Sequence, residues 1–269
     1  MRKWVFGAIS VLAFVALAAP IQANPVTISH NNSSATIDFT SSSGMYNWTV
    51  DGMDHLNRQW FWYRVGNTGP ESGLNTLLVS DVSAAGRSAS ATFTMAEGFS
   101  VDLAYTITGG LAGSRSAGIT ESIGINNSSA QTLDFHFFQY SDFDLGGTPN
   151  DDSAYLKYAN TVVQTDPFTV LSETSVNYTP SHWEIAYFPT TLNKLTTDGG
   201  PTTLSDTAIS LGPGDVTWAF QWDFTIGPGG SVIFSKDKRY APIPEPGSML
   251  LLGSGLVGLA AAVRRRVKK

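Results

Sequence analysis

The chain has 269 residues, of which 42% are hydrophobic, and its 16 basic and 22 acidic side chains give a net charge of −6. This apolar content is enough for a substantial core, so the composition excludes a wholly disordered protein. Cysteine is absent, which excludes disulfide frameworks, thiolate metal sites and cysteine nucleophiles.

The N-terminal segment has the parts of a secretory signal peptide. Two basic residues precede a run over residues 4–19 that is apolar apart from Ser10, and small or β-branched residues follow at the positions that signal peptidase reads. We expect cleavage between Ala23 and Asn24, so that residues 1–23 are removed. The alternative is an uncleaved anchor, but the run is shorter than the roughly 20 residues that a spanning helix needs.

Residues 24–239 are predicted to form the body of the protein as one domain, with a split near residues 146–152 as the alternative. Apolar and polar residues alternate along Val216–Ile226 and along residues 99–108, which is typical of antiparallel strands with one solvated face. Further strands are predicted at residues 26–29, 35–39, 46–50, 59–65, 77–82, 90–95, 118–125, 132–145, 155–158, 183–188, 208–211 and 231–235. We therefore predict an all-β fold, a large antiparallel β-sandwich of roughly a dozen strands.

Aromatic residues on two predicted strands are candidates for sugar binding. Trp60 and Trp62 lie on a strand that is aromatic on both faces, so one face is core and the other is either covered or an exposed stacking platform. Tyr140 shares a strand face with carboxylates, which accept hydrogen bonds from sugar hydroxyls. These three rings are predicted to stack on sugars, and packing in the core is the alternative.

Acidic residues near the end of the same strand are candidates for binding calcium. Asp142 and Asp144 lie on one face of the strand, and Asp151 and Asp152 follow. Ca²⁺ is bound by several carboxylate and carbonyl oxygens. No EF-hand loop or nonapeptide repeat is present in the sequence, so the alternative is a solvated strand end with an acidic loop. No other cofactor is predicted.

One carboxylate lies where an apolar residue is expected. Glu121 shares a predicted strand face with Ile119, Ile123 and Ile125. A carboxylate in such a position is paired, near a sheet edge, or functional with a shifted pKa. Because no functional partner is evident in the sequence, we predict that Glu121 is paired or near an edge.

The sequence of the body contains no catalytic motif. It has no Gly-x-Ser-x-Gly elbow, no phosphate-binding glycine loop and no His-Glu-x-x-His helix motif. Residues 24–246 carry nine basic and 22 acidic side chains, a net charge of −13. This charge disfavours nucleic acid as a partner, and catalysis is predicted to be less favoured than binding or a structural role.

The C-terminal segment has three parts in a fixed order. A tether over residues 240–246 ends in Pro244, Glu245 and Pro246, and an uncharged run over residues 247–263 follows. As a helix, this run spans about 25 Å, which suffices for a transmembrane helix with snorkelling basic residues at its end. The basic tail, residues 264–269, is predicted to stay cytoplasmic by the positive-inside rule. Its charged residues are Arg264, Arg265, Arg266, Lys268 and Lys269.

This arrangement resembles the PEP-CTERM sorting signal of Gram-negative bacteria that make extracellular polysaccharide. The resemblance implies processing by exosortase, a membrane-embedded cysteine transpeptidase that removes the span and releases or transfers the protein at the cell surface. It covers about the last 28 residues and carries no information on the body.

The two terminal signals and the all-β body together predict a function at the cell surface. The leading hypothesis is an exported structural or adhesion protein associated with extracellular polysaccharide. The alternative is a carbohydrate-binding module or a carbohydrate-active enzyme that acts on that polysaccharide. Signal peptidase, exosortase and, before processing, the membrane are the predicted partners.

Overall fold

The computed structural model describes residues 25–96 and 98–243, and the predicted signal peptide, transmembrane helix and basic tail lie outside them. The strands are β1 (Val26–His30), β2 (Ser33–Asp38), β3 (Gly44–Val50), β4 (Met53–Asp54), β5 (Leu56–Val65), β6 (Ser72–Gly73), β7 (Leu78–Ala85), β8 (Ser88–Met95), β9 (Phe99–Gly109), β10 (Ala117–Asn127), β11 (Leu133–Phe143), β12 (Asp152–Tyr158), β13 (Thr161–Thr165), β14 (Thr169–Ser175), β15 (His182–Tyr187), β16 (Ser210–Gly214), β17 (Val216–Ile226) and β18 (Ser231–Pro242). The helices are α1 (Thr190–Thr196) and two 3₁₀ turns, Leu74–Thr76 and Leu145–Gly147.

The strands form two sheets of nine strands each. Sheet A has the order β1-β2-β3-β5-β11-β17-β15, with β4 beside β3 and β6 beside β5. Sheet B has the order β16-β12-β13-β14-β18-β10-β9-β8-β7. Pairing is antiparallel apart from a short parallel contact between β3 and β5. The predicted all-β sandwich is confirmed, with eighteen strands in the part of the chain that the structure describes rather than roughly a dozen.

The core lies between the two sheets. On β11, the face that includes Phe135 and Phe137 points toward sheet B, where the ring of Phe137 packs edge-on against Phe234 of β18 at 5.8 Å between centroids. Phe143 stacks on Trp218 of β17 at 5.2 Å, with the ring planes 7° apart. Alternation along β11 therefore directs its remaining side chains to the outer face of sheet A.

The outer face of sheet A is also covered along much of its length. β11 and β17 are buried on both faces, and α1 packs over β15 and β17. The backbone N–H of Leu204 donates to Gln221 Oε1 at 2.9 Å, which fixes the segment after α1 over β17. Among residues 25–96 and 98–243, no helix is long and apolar enough to cross a membrane.

A set of charged side chains is buried between the sheets. Glu121, Glu173, Lys236 and Lys238 all lie on the inner face of sheet B with no exposed surface. Gln139 of β11 accepts a hydrogen bond from Lys236 across the sandwich. Against the effect of burial, the ammonium groups of Lys238 and Lys236 hold the pKa of Glu173 below its usual value. We call these four residues the inter-sheet ion network.

β18 extends further than the sequence predicted. The strand was expected over residues 231–235 and the tether from residue 240, but β18 continues to Pro242. Tyr240 is buried and its ring lies 4.1 Å from that of His55. The alternation was hidden because Lys236 and Lys238, rather than apolar residues, occupy the inward positions. Residues 240–242 therefore belong to sheet B.

Candidate functional site

Strand register brings two histidines and several carboxylates together on the outer face of sheet A. His136 of β11 is directly opposite Asp223 of β17 and Arg64 of β5. His182 of β15 is opposite Gln221 of β17, two residues from Asp223. Directly paired residues share a sheet face, so these side chains converge at one end of the face.

The hydrogen bonds of this group join it into one cluster. His136 Nδ1 lies 2.6 Å from Asp223 Oδ1, and Gln221 Nε2 donates to the same oxygen at 2.8 Å. His182 Nδ1 lies 2.6 Å from Asp206 Oδ2, while its Nε2 lies 3.6 Å from Asp223 Oδ2. We call His136, His182, Asp206 and Asp223 the histidine–aspartate cluster.

The cluster has both a buried and an exposed part. The side chain of His136 is 10% exposed, whereas those of Asp223 and His182 are 29% and 32% exposed. An ionised carboxylate only accepts hydrogen bonds, so each histidine presents an Nδ1–H to its aspartate. In the neutral form each Nε2 is then an acceptor, and Nε2 of His136 has no hydrogen-bond partner among the described residues.

An ion pair fixes the covering segment beside the cluster. Arg64 contacts Glu71 through Nη1, and the same nitrogen donates to the carbonyl of Thr202 at 2.8 Å. The backbone N–H of Thr202 donates to Glu71 Oε1 at 2.8 Å. Both charged side chains are buried, and through them the loop around Thr202 is tied to sheet A.

The three residues predicted to stack on sugars all lie inside the protein. Trp60, Trp62 and Tyr140 are buried, and Trp60 Nε1 donates to Asn75 Oδ1 at 3.0 Å. Trp62 and Tyr140 pack edge to face at 6.4 Å. None of the three presents a ring face to solvent in this conformation, so they occupy the alternative position that the sequence allowed, the core.

Two of the four predicted calcium ligands lie together at the opposite end of β11. Carboxylate oxygens of Asp142, Asp144 and Asp215 lie within 4.8 Å of one another. Burial, and next the charge of Asp144, raises the pKa of Asp142 to about 7. Burial and the charge of Asp215 raise the pKa of Asp144 to about 6. We call these three residues the three-aspartate cluster.

The other two predicted ligands have different partners. Asp151 accepts a hydrogen bond from Thr148 Oγ1 at 2.7 Å. Asp152 Oδ2 accepts hydrogen bonds from the Leu145 N–H at 3.1 Å and from Gln164 Nε2 at 2.7 Å. The structure therefore brings Asp142 and Asp144 together with Asp215, and it does not bring Asp151 or Asp152 into that group.

A recess of about 510 Å³ lies near His55 and Tyr240. Two carboxylates that line the recess accept hydrogen bonds from nearby backbone groups. Asp51 accepts one from the N–H of Gly113 at 2.6 Å, and Asp166 accepts one from the N–H of Phe168 at 2.6 Å. Phe168 is exposed at the rim. Burial lowers the pKa of His55 to about 4.

Sequence reasoning missed Asp206, His182, Asp215 and Asp223 as site residues. Asp223 lies on the polar face of a predicted strand, which was the only local signal. The partners of these residues are 24 to 87 positions away in the chain, so only the strand order reveals the groups.

Comparison with known families identifies the C-terminal segment. Residues 242–266 match the PEP-CTERM protein-sorting motif, which confirms the resemblance inferred from Pro244, Glu245 and Pro246. The motif implies exosortase as the processing partner, export, and a membrane-anchored precursor. No curated protein matches the chain in sequence.

Comparison with solved structures identifies the fold of the body. A galactose mutarotase-like protein from Lactobacillus casei superposes with a TM-score of 0.54 at 10% identity, over 81% of this chain and 100% of that one. An aldose epimerase homologue from C. elegans gives 0.54 at 10% identity, over 82% and 99%. A bacterial glucoamylase complexed with acarbose gives 0.52 at 8% identity, over 83% and 32%, so this chain spans about a third of that enzyme. At such identities the likeness shows the fold alone.

Proposed function

We propose that this protein is sorted to the cell surface through its PEP-CTERM motif and there binds extracellular polysaccharide. The observation that carries the binding proposal is the histidine–aspartate cluster on the outer face of sheet A. Its binding site comprises Asp223, His182 and Asp206, with His136 behind them. A role as an adhesion or matrix protein follows from such binding.

The cluster has the chemistry that sugar recognition requires. Asp223 and Asp206 offer partly exposed carboxylate oxygens that accept hydrogen bonds from hydroxyl groups. His182 lies between them and orients both. The neighbours named as a mutarotase-like protein and an aldose epimerase homologue have the same fold, which supports a carbohydrate ligand without identifying it.

The charge of the body restricts the class of polysaccharide. Residues 24–246 have a net charge of −13, and two of the negative charges, those of Asp206 and Asp223, lie within the proposed binding site. Polyanionic chains are repelled by such a surface at moderate salt. We therefore expect a neutral or amino-sugar polymer as the ligand.

The test is binding of the full chain, kept in mild detergent, to neutral, amino-sugar and anionic polysaccharides. We expect retention on the first two classes and at least a tenfold loss of affinity in Asp223→Asn, because the change removes the negative charge beside His136 and replaces one of the carboxylate oxygens offered to sugar hydroxyls with an NH₂ group. Asp237→Asn is the matched control, since Asp237 is an aspartate on β18 that accepts from Thr120 on the outer face of sheet B.

A third variant distinguishes the histidine–aspartate cluster from the recess near His55 as the place where the sugar binds. Phe168→Ala removes the exposed ring at the rim of the recess near His55. Loss of binding in Phe168→Ala with full binding in Asp223→Asn places the sugar in the recess and contradicts the site proposed. Absence of binding to every polysaccharide contradicts the function itself.

A carbohydrate-active enzyme is the second candidate, and the pairing of His136 with Asp223 favours it. An aspartate-oriented imidazole whose Nε2 reaches the substrate is a general base when neutral, and His136 Nε2, without a partner among the described residues but buried, would have to become accessible for this role. Reducing-sugar, lyase and anomer-interconversion assays on the polymers that bind separate the two functions. Turnover that Asp223→Asn abolishes indicates an enzyme, and binding without turnover indicates a binding protein.

Sorting has a separate test. Deletion of Pro244, Glu245 and Pro246, or of the exosortase of the host, is expected to leave unprocessed precursor in the inner membrane. Fractionation with an antibody to the body measures this directly. Unchanged processing and surface delivery in both cases contradict the role of the motif.

A further inference from the structure

We propose that the three-aspartate cluster of Asp142, Asp144 and Asp215 binds a calcium ion. This site is independent of the proposed polysaccharide binding. It lies at the C-terminal end of β11, six residues from His136, which corresponds to about 20 Å along the strand.

The cluster concentrates three negative charges, and the cation opposite it, Arg58 of β5, makes no ion pair with Asp142. Its three carboxylates each place an oxygen within 4.8 Å of the others. Within the part of the chain that the structure describes, no lysine or arginine nitrogen lies within 4 Å of any of them. Like charges this close repel strongly in a partly buried site, and a divalent cation relieves that repulsion.

An unpartnered buried oxygen is the second observation. Asp142 is 2% exposed, and its Oδ2 accepts hydrogen bonds from Asn57 Nδ2 at 3.2 Å and from the Tyr140 hydroxyl at 3.4 Å. Its Oδ1 is buried and has no hydrogen-bond partner among the described residues. A metal ion bound by the cluster would satisfy this acceptor.

The donor set favours calcium over other metals. All three side chains offer carboxylate oxygens, which hard cations prefer, and no imidazole belongs to the group. Two of the three residues lie outside regular strands, where the chain can adjust to the irregular geometry that Ca²⁺ accepts and Mg²⁺ does not. An exported protein also meets calcium at concentrations suited to weak sites.

The location of the cluster gives the ion a structural role. Asp144 follows β11 of sheet A on the way to β12 of sheet B. Asp215 is the single residue between β16 of sheet B and β17 of sheet A. A bound ion therefore joins two points at which the chain passes between the sheets, and it stabilises the folded state by mass action.

The test measures Ca²⁺ binding and thermal unfolding of the full chain in EDTA and in millimolar Ca²⁺. We expect one ion per chain, a dissociation constant of roughly 10⁻⁴ to 10⁻³ M as for extracellular sites, and a rise in Tm. In Asp215→Asn the Ca²⁺-dependent rise is lost, while Tm in EDTA equals or exceeds that of the wild type because one repelling charge is gone. Asp151→Asn, a matched change outside the cluster, keeps the full rise.

A second measurement uses only the wild-type protein, so it tests the proposal even if Asp215→Asn does not fold. Tb³⁺ bound to the wild-type protein is expected to luminesce on tryptophan excitation, since Trp218 stacks on Phe143 next to Asp142, and Ca²⁺ displaces it. A wild-type Tm that is the same in EDTA and Ca²⁺, a rise that persists in Asp215→Asn, or Tb³⁺ luminescence that Ca²⁺ does not reduce each overturns the proposal.

Discussion

Lys236 Nζ lies 2.5 Å from Glu121 Oε2, and neither side chain has exposed surface. The two residues are directly opposite each other on β18 and β10, and Lys238 is likewise opposite Glu173 on β14. Two positive and two negative charges thus cancel between the sheets. Glu121 is paired, one of the two alternatives that the sequence left open for it.

Removal of one charge from the inter-sheet ion network is expected to be far more harmful than removal of all four. Lys236→Met leaves Glu121 and Glu173 with only Lys238, and breaking a buried ion pair in this way is expected to lower the free energy of unfolding by about 3–5 kcal/mol. Replacement of all four residues by leucine or methionine is expected to be neutral or stabilising by about 1–4 kcal/mol. Urea unfolding at neutral pH measures both, and a single variant that is as stable as the quadruple one contradicts the expectation.

His55 is expected to make the protein acid-sensitive. Burial lowers its pKa to about 4 from the usual 6.5, so between these values the unfolded chain binds a proton that the folded one does not. Stability therefore falls as pH drops from about 6.5 to 4, by about 3 kcal/mol at most. His55→Gln retains an acceptor for the Gly146 N–H and is expected to flatten this decline in urea titrations at several pH values. A decline of unchanged slope in the variant contradicts the assignment to His55.

Asp152 is expected to have the opposite effect on the pH dependence of stability, so that the protein becomes less stable as the pH rises. Burial raises its pKa to about 8, although hydrogen bonds from Leu145 and Gln164 oppose the rise. Between about pH 4 and 8 the folded protein holds a proton that the unfolded chain has lost, so stability decreases as pH rises, by up to about 5 kcal/mol.

Asp152→Asn removes this loss and should stabilise the protein at pH 8 much more than at pH 4. Comparison of Tm at the two pH values measures the difference. An equal effect of the substitution at both pH values argues against a protonated Asp152 in the fold.

Alanine variants of two glycines with left-handed backbone conformation distinguish the destabilisation caused by steric collision from that caused by backbone strain. Gly44 has φ +58°, and a Cβ there would collide with the Gln59 carbonyl and the Trp60 ring. Gly52 has φ +84°, and no described heavy atom lies within 4 Å of its Cβ position. We expect Gly52→Ala to destabilise by about 1 kcal/mol from strain alone, and Gly44→Ala by about 4 kcal/mol from strain and collision. Similar unfolding free energies for the two variants contradict the packing of β3 against β5.

Periodicity predicted strands well wherever apolar residues occupy the inward positions. β17 has the same bounds in sequence and structure, because tryptophan and phenylalanine alternate with smaller or polar residues along it. β14 was not predicted, since its buried face consists of threonine, serine and Glu173 beside a single leucine. Glu173 is internal as a member of the inter-sheet ion network, and a hydrophobicity pattern cannot reveal that pairing.

The candidate sites were predictable only in their local parts. Asp142 and Asp144 belong together by spacing on one strand, whereas Asp215 joins them through the crossing between β16 and β17. The burial of Trp60 and Trp62 depends on contacts with other parts of the chain: Trp60 packs against Phe93 of sheet B, and Trp62 packs against Tyr140. The alternation of residues along a strand identifies which side chains share a face. The order of the strands in the fold decides which distant residues contact that face.

β18 is the last strand of the body, and it lies between β10 and β14 rather than at a sheet edge. Its final residue, Pro242, is also the first residue of the sorting motif. A pull on the C-terminal attachment therefore acts along the axis of an interior strand and loads its hydrogen bonds to both neighbours in shear. Under such a load an interior strand resists better than an edge strand, because it cannot peel away from the sheet one hydrogen bond at a time.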